Sequence, residues 1–232
     1  YNIGDKIKNT ILTTMKKTKF LAFLLCCFSA FLFASCLDDD GGKTGLTNEE
    51  ARQCLNSIRG SYSGDLIYES QNPIIATDKT DTLDIDWQVN AADTTLVVYS
   101  FPAKLIAKDL PEGDVKTALS QASGATLKAK IGFYQITPVI GYILFPMPVV
   151  YNVIYGGSAH KVSAYFSSNG YSFGLHSATQ KVMQMQLVLG GVYLDNDFNT
   201  NLLAGKTTPF MLVSKEGVSK FTPSFKISQS PN

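Results

Sequence analysis

The sequence predicts a mainly β fold: an antiparallel sandwich or barrel with an N-terminal helix and a short helical insertion. Two observations carry this. Apolar residues alternate with polar ones along most of the chain, the period of a half-buried strand. Helical spacing is confined to two short regions, and turn signals punctuate the rest at intervals that favour hairpins over crossovers.

The first helix is expected over residues 48–58. Thr47 and Glu50 have the spacing of a capping box, and Ala51, Cys54, Leu55 and Ile58 line one face. Gly60 is the expected left-handed stop. Strands follow. Leu83, Ile85, Trp87 and Val89 alternate with Asp84, Asp86, Gln88 and Asn90, which places Trp87 inward. The same alternation holds for Leu127, Ala129, Ile131 and Phe133, for Val162, Ala164 and Phe166, and for Met183, Met185, Leu187 and Leu189. Further strands fit 62–69, 94–100, 138–145, 149–155 and 170–176. Phe221, Pro223, Phe225 and Ile227 suggest a last strand. Asn72-Pro73, Gly156-Gly157 and Asn169-Gly170 are turns, and Asn169-Gly170 is the strongest hairpin signal. The helical insertion covers 102–123: Pro102 opens one helix with Leu105 and Ile106, and Asp114 caps a second that stops at Gly124. No repeat of fixed period occurs.

The 232 residues are 45% hydrophobic and 17% charged, with a formal net charge of +1. That composition supports a packed core and excludes disorder, and the absence of a basic excess argues against nucleic acid as a partner. Charge is unevenly spread. Residues 38–114 hold 15 acidic and 6 basic side chains, whereas 115–194 hold 5 Lys and no acid. No linker separates the two stretches, so one globular domain over 47–232 with differently charged faces accounts for them.

Met15 begins an order of segments that reads as an export signal: Lys16, Lys17 and Lys19, then Phe20 to Ala34 without a charge, then Ser35 and Cys36. Fifteen helical residues rise about 22 Å, short of a hydrocarbon core of about 30 Å, so a cleaved signal over 15–35 is expected rather than a span. Residues 1–14 read as an upstream extension. Phe33-Ala34-Ser35-Cys36 resembles a bacterial lipobox, with Phe33 where Leu is more usual. The resemblance implies cleavage before Cys36 and lipidation of its sulfur and amine. Cys36 followed by Asp38-Asp39-Asp40 resembles the lipoproteins of Bacteroidetes, in which an acidic run accompanies transfer to the outer face of the outer membrane. It also reads as a flexible tether over 36–46. With Cys36 lipidated, the exported chain keeps Cys54 alone and forms no internal disulfide. The helix running into Gly60-Ser61-Tyr62-Ser63-Gly64, the lipoprotein start and Phe101-Pro102 are together similar to small Bacteroidetes lipoproteins of uncharacterised function. The helix leading into a Gly-aromatic strand also resembles lipocalin-like barrels. Neither resemblance brings catalytic residues.

Chemistry is sparse. His160 and His176 have no metal-ligand spacing to Cys or His, and no metal or cofactor is expected. Asp84 and Asp86 share a strand face about 6.5 to 7 Å apart and are the candidate carboxylate pair of a hydrolase. The same spacing arises on any polar face. Asp195, Asn196, Asp197 and Asn199 offer oxygens to a cation but lack the Gly and the final Glu of an EF-hand loop. Cys54, on an apolar helix face, reads as core.

The most unusual stretch is 131–160, thirty residues without Asp, Glu, Lys or Arg but rich in Phe and Tyr. It reads as central strands covered on both faces, or as an exposed aromatic surface suited to sugar or protein contacts. On the second reading the contact candidates are Tyr142, Phe145, Tyr151 and Tyr155. The expected function is a lipid-anchored, surface-exposed outer-membrane lipoprotein, a non-catalytic binding module for a glycan, protein or envelope component. Alternatives are a hydrolase of polysaccharide or peptide, and a lipocalin-like carrier of an apolar ligand.

Overall fold

A computed structural model describes residues 46–70, 74, 79–168 and 170–215. The expected signal segment, Cys36, Asp38–Asp40, the Asn72-Pro73 turn, Asn169 and the strand expected at 221–227 lie outside the described residues.

Helix α1 spans Asn48–Ile58. Its capping box forms as the spacing predicts: the Glu50 amide donates to Thr47 Oγ1 at 3.2 Å, and the Thr47 amide donates to Glu50 Oε2 at 2.8 Å. Cys54 and Ile58 face inward and are fully buried. Gly60 does not act as the helix stop. Arg59 is already extended, and Gly60, at φ 141°, opens strand β1 (Gly60–Glu69). Tyr62 Oη donates to the Ile58 carbonyl at 2.6 Å and ties that strand to the helix.

The remaining elements are β2 (Thr80–Asn90), β3 (Thr95–Phe101), α2 (Ala103–Ala107), α3 (Asp114–Gln121), β4 (Ala125–Gln135), β5 (Ile140–Pro146), β6 (Val149–Tyr155), β7 (Ser158–Phe166), β8 (Phe173–Ser177), β9 (Val182–Leu194) and β10 (Thr208–Ser214). Asp114 is not the cap of α3 but its first residue. Gly113 occupies the cap position, and no side chain caps the helix. Gly124 is needed for a different reason than stopping that helix: a Cβ there would collide with the Ser100 backbone.

Among the described residues every pairing is antiparallel. Hydrogen bonding runs β10-β1-β2-β3-β4-β5-β8-β9, and β9 pairs again with β10, so eight strands close into a barrel. Of the two expected architectures, the barrel is the one formed. The closing strand β10 escapes the sequence reading. Only Phe210 and Leu212 supply large inward apolar side chains, and Pro209 breaks the pattern. Pro209 is tolerated because β1 pairs only from Phe210 onward, so its missing N–H is not wanted on that side.

The Asn169-Gly170 hairpin is also not formed. β7 and β8 do not pair with each other. Both pair with β9, β7 through Leu189–Leu194 and β8 through Val182–Gln186. They form two segments of one line along the same neighbour, interrupted by the excursion 167–172. Ser172 holds the gap: its hydroxyl donates to the Ser167 carbonyl at 2.5 Å and accepts from the Val188 amide at 3.3 Å. The second half of β9 therefore leaves the barrel and carries the β6–β7 hairpin with it. That hairpin packs over α3, and Tyr151 Oη donates to the Phe101 carbonyl at 3.2 Å. Phe101 meets Phe166 and Phe210 edge-on, and Phe166 and Phe210 meet at a tilt, joining the extension to the barrel.

The lumen is filled. Trp87 and Tyr142 expose none of their surface, and Tyr62 stacks on Trp87 at 5.7 Å. Trp87 Nε1 donates to Met183 Sδ at 3.4 Å and Tyr142 Oη donates to the Gln184 carbonyl at 3.3 Å, so both polar tips are satisfied. Glycines make the room. A Cβ on Gly64 would sit 2.6 Å from the Trp87 ring and would strike the Val213 carbonyl, and one on Gly174 would strike the Tyr142 ring. Overpacking of this kind costs about 1–3 kcal/mol, so Gly64→Ala should lower stability by that much in a urea titration. An unchanged midpoint would mean that Trp87 does not lie against that backbone.

Candidate functional site

Strand parity sorts the expected contact residues. In β4, Leu127, Ala129 and Ile131 face the lumen, which turns Lys128, Lys130, Gly132 and Tyr134 outward. In β5, Ile140, Tyr142 and Leu144 face inward, which turns Gly141, Ile143 and Phe145 outward. Tyr142 and Phe145 are three apart and cannot share a face. Tyr142 is in the lumen with its hydroxyl pushed well up by burial, and Tyr151 lies beneath the extension with the same cause. Both belong to the core and are withdrawn as contact residues. Tyr155 is half-buried on the inward side of β6, stacked on His160 at 4.0 Å. Phe145 alone of the four has its ring on the barrel exterior.

Tyr134, absent from the expected set, joins Phe145 there. The parity of β4 is the signal that could have found it. Tyr134 is 44% and Phe145 45% exposed. The distal ring atoms of Tyr134 lie over Gly141, 2.6 Å from where a Cβ would stand. Those of Phe145 lie over Gly132, 3.1 Å from the equivalent point. Each ring rests on a neighbouring strand where no side chain intervenes and leaves its other side to solvent. Ile143 sits between them, opposite Gly132 on β4 and Phe173 on β8, and Leu175 stands opposite Gly141. Tyr171, 64% exposed, flanks this face from the 167–172 excursion. The result is a continuous apolar platform on the outside of β4, β5 and β8, bordered by Lys128 and Lys130.

The candidate carboxylates are placed otherwise. Asp84 and Asp86 do share the outer face of β2, as the spacing predicts. Asp84 lies directly opposite Asp65 on β1, and Asp86 opposite Ser63. Lys215 Nζ pairs with Asp84 and reaches Asp65 at 3.8 Å; its pKa is raised, first by the bond to Asp84. The Ser63 hydroxyl donates to Asp86. On the outer barrel wall these groups form a surface network of one lysine, one hydroxyl and three carboxylates.

The Asp195–Asn199 loop spends its carboxylate oxygens on β7 and on itself. Asp195 accepts from His160 Nδ1 at 2.7 Å and from the Lys161 amide at 2.8 Å, bonds that hold its carboxyl below the usual range. Asp197 accepts from the amide and side chain of Asn199, both at 3.0 Å. Among the described residues no three His, Cys, Asp or Glu side chains gather to hold a metal. Cys54 is buried on the α1 face, and burial raises its pKa, as suits a core thiol.

His176 faces the lumen from β8, across from Ile140 and Met183, and its Nδ1 has no partner among the described residues. Desolvation lowers its pKa. The unfolded chain takes up this proton near pH 6.5, and the folded chain only at lower pH. Folding stability should therefore fall as the pH drops below about 6.5. His176→Leu should flatten the thermal midpoint between pH 7.5 and 5.5, above the range where carboxylates titrate. Parallel declines in wild type and variant would show that the imidazole is not buried in its neutral form.

Fold and surface together define a small closed antiparallel barrel with a packed interior, whose distinctive chemistry lies on its outer wall. The chain belongs to the family of the domain of unknown function DUF4840, which it matches over residues 57–194, from the last turn of α1 to the end of β9. No curated protein and no solved structure matches it.

Proposed function

We propose that this protein is a lipid-anchored lipoprotein of the outer membrane, displayed on the cell surface, and that its barrel is a non-catalytic binding module. The contact face is the Tyr134–Ile143–Phe145 platform with Phe173 and Tyr171 beside it. The observation that carries this reading is the pair of half-exposed rings, each seated over a glycine of the adjacent strand. The preceding outward positions of β4 are Lys128 and Lys130, so the barrel wall takes charge readily at this face. The aromatic side chains are not demanded by folding. Large apolar patches left on a surface mark interaction sites. Preset rings on a rigid sheet suit the apolar faces of a sugar or a neutral protein surface, at small conformational-entropy cost. A neutral glycan fits best, because residues 131–160 contain no ionised side chain. The lumen filled by Trp87 and Tyr142 favours contact on the outside over carriage of an apolar ligand within.

The Tyr134→Ala, Phe145→Ala double variant tests this on a glycan array. It should keep a cooperative melt within about 1 kcal/mol of wild type, as surface substitutions do, and lose binding to any glycan the wild type retains. Retained binding by the folded double variant would sink the platform.

The anchor rests on the lipobox-like Phe33-Ala34-Ser35-Cys36. Stable membrane attachment needs more than one acyl chain, so Cys36→Ser should move the expressed protein from the membrane pellet to the soluble fraction. Equal pelleting of both forms would remove the lipid.

A further inference from the structure

Strand β6 has one strand neighbour among the described residues, β7. The two are joined by Gly156 and Gly157 at φ 57° and 77°, the left-handed pair of a two-residue hairpin closed by Tyr155 and Ser158. In such a hairpin the closing pair exchanges both main-chain hydrogen bonds, and bonded and non-bonded pairs then alternate. The register sends the main-chain groups of Tyr155, Val153, Tyr151 and Val149 toward β7. Those of Ile154, Asn152 and Val150 point out of the opposite edge.

These same three residues carry the exposed side chains of the strand, Ile154 at 77% and Val150 at 43%. Edge strands are ordinarily protected by Lys, an internal Pro or a bulge. β6 has none of these: Val149 to Tyr155 contains no charge and no Pro, and its pairing with β7 is unbroken.

We infer that the β6 edge pairs antiparallel with β6 of a second copy of this chain, about a two-fold axis through Asn152. The occupant follows from the strand's own symmetry. Centred on Asn152, β-branched Val150 faces Ile154 of the second copy, and Ile154 faces Val150. Val149 and Tyr151 likewise meet Tyr155 and Val153. The outward main-chain groups at 150, 152 and 154 all find partners in this one register, and β-branched cross-strand pairs add side-chain contact. Self-pairing requires that no like charges meet, and β6 offers none. Lys161, opposite Asn152 on β7, stands one strand back from the axis in each copy. The two β7 strands are then three strand spacings apart, about 14 Å, farther than the screening length of about 8 Å in physiological salt.

The full chain carrying Asn152→Cys, with Cys26, Cys27 and Cys36 changed to Ser, treated with a short bifunctional maleimide, tests the axis. Opposed residues in this register lie about 5.5 Å apart between Cα atoms, so a covalent dimer is expected. The same chain with Lys104→Cys, exposed on α2, should give none. Cross-linking no greater at 152 than at 104 overturns the proposal. A second variant, Ile154→Lys, should weaken self-association of the full chain by about tenfold or more in sedimentation equilibrium, with its cooperative melt retained. Unchanged association by this folded variant overturns it as well. A full chain that stays monomeric, and dimerises only when it ends at Lys215, would show that residues 216–232 occupy the edge instead, and this too overturns it.

Discussion

The structure depends on how an eight-stranded barrel fills its lumen. At eight strands the interior is wide enough for side chains and little else. Here two large aromatics take most of that space: Trp87 from β2 and Tyr142 from β5, both fully buried. They fit because Gly64, diagonal to Trp87 on β1, and Gly174, opposite Tyr142 on β8, leave room where even a methyl group would collide with a ring. A Gly in a strand interior ordinarily weakens it. These two are offset by the ring that each admits, since a buried aromatic removes far more apolar area from water than the small side chain it displaces. The indole and phenol tips, satisfied by Met183 and the Gln184 carbonyl, add no unpaired polar group. Among the described residues one buried side-chain atom has no partner, His176 Nδ1.

Strand β9 links this core to the rest. Its first half closes the barrel between β8 and β10, and its second half runs on to carry β7 and β6. Gly190 and Gly191 lie in that second half, where the register with β7 shifts between Tyr165 and Phe166. A Cβ on Gly190 would stand 2.5 Å from Ser167 Oγ and one on Gly191 2.7 Å from the Tyr193 ring. Beyond this point the sheet packs on α3, and Tyr151, Val153 and Leu119 continue the same core there. The edge strand β6 exists because this extension leaves the closed ring. A barrel removes its edges, and the β6 edge belongs to the part outside it.

Local pattern made much of this legible. Alternation placed nine of the ten strands, found Trp87 inward, and located the helices α1 and α2. Failures came where the signal is not local. Asn169-Gly170 has the chemistry of a hairpin turn, but β9 is long enough to take β7 and β8 in tandem, and no feature of residues 165–173 reports that. β10 holds only two large inward apolar residues beside a Pro, and its place is set by β1 and β9 closing on it. The sandwich-or-barrel ambiguity was the same problem, because closure depends on this least recognisable strand. The aromatic stretch failed differently. Residues 131–160 do contain an exposed aromatic face, but composition does not separate Tyr142 from Phe145, whereas strand parity does, and parity on β4 turns Tyr134 outward.

That parity also sharpens what the outer wall implies. Each strand of the barrel has one face committed to the lumen and one free to vary, and the free faces differ from strand to strand. On β1 and β2 the outward positions are Ser63, Asp65, Asp84 and Asp86; Lys215 pairs with the Asp65 and Asp84 carboxylates, and Ser63 donates to Asp86. On β4 they begin with Lys128 and Lys130 and then become Gly132 and Tyr134; on β5 they are Gly141, Ile143 and Phe145. Folding constrains all of these equally little, since none reaches the core. Solubility favours polar side chains at every one of them. The departure from that preference is local to three adjacent strands, and it includes glycines at the two places where a ring can rest against the sheet. A barrel selected for stability alone has no use for Gly132 and Gly141, which carry no side chain to pack and weaken the strands holding them. Their presence under Phe145 and Tyr134 accounts for both departures together: the outer glycines seat rings that face solvent, as the inner ones seat rings that fill the core.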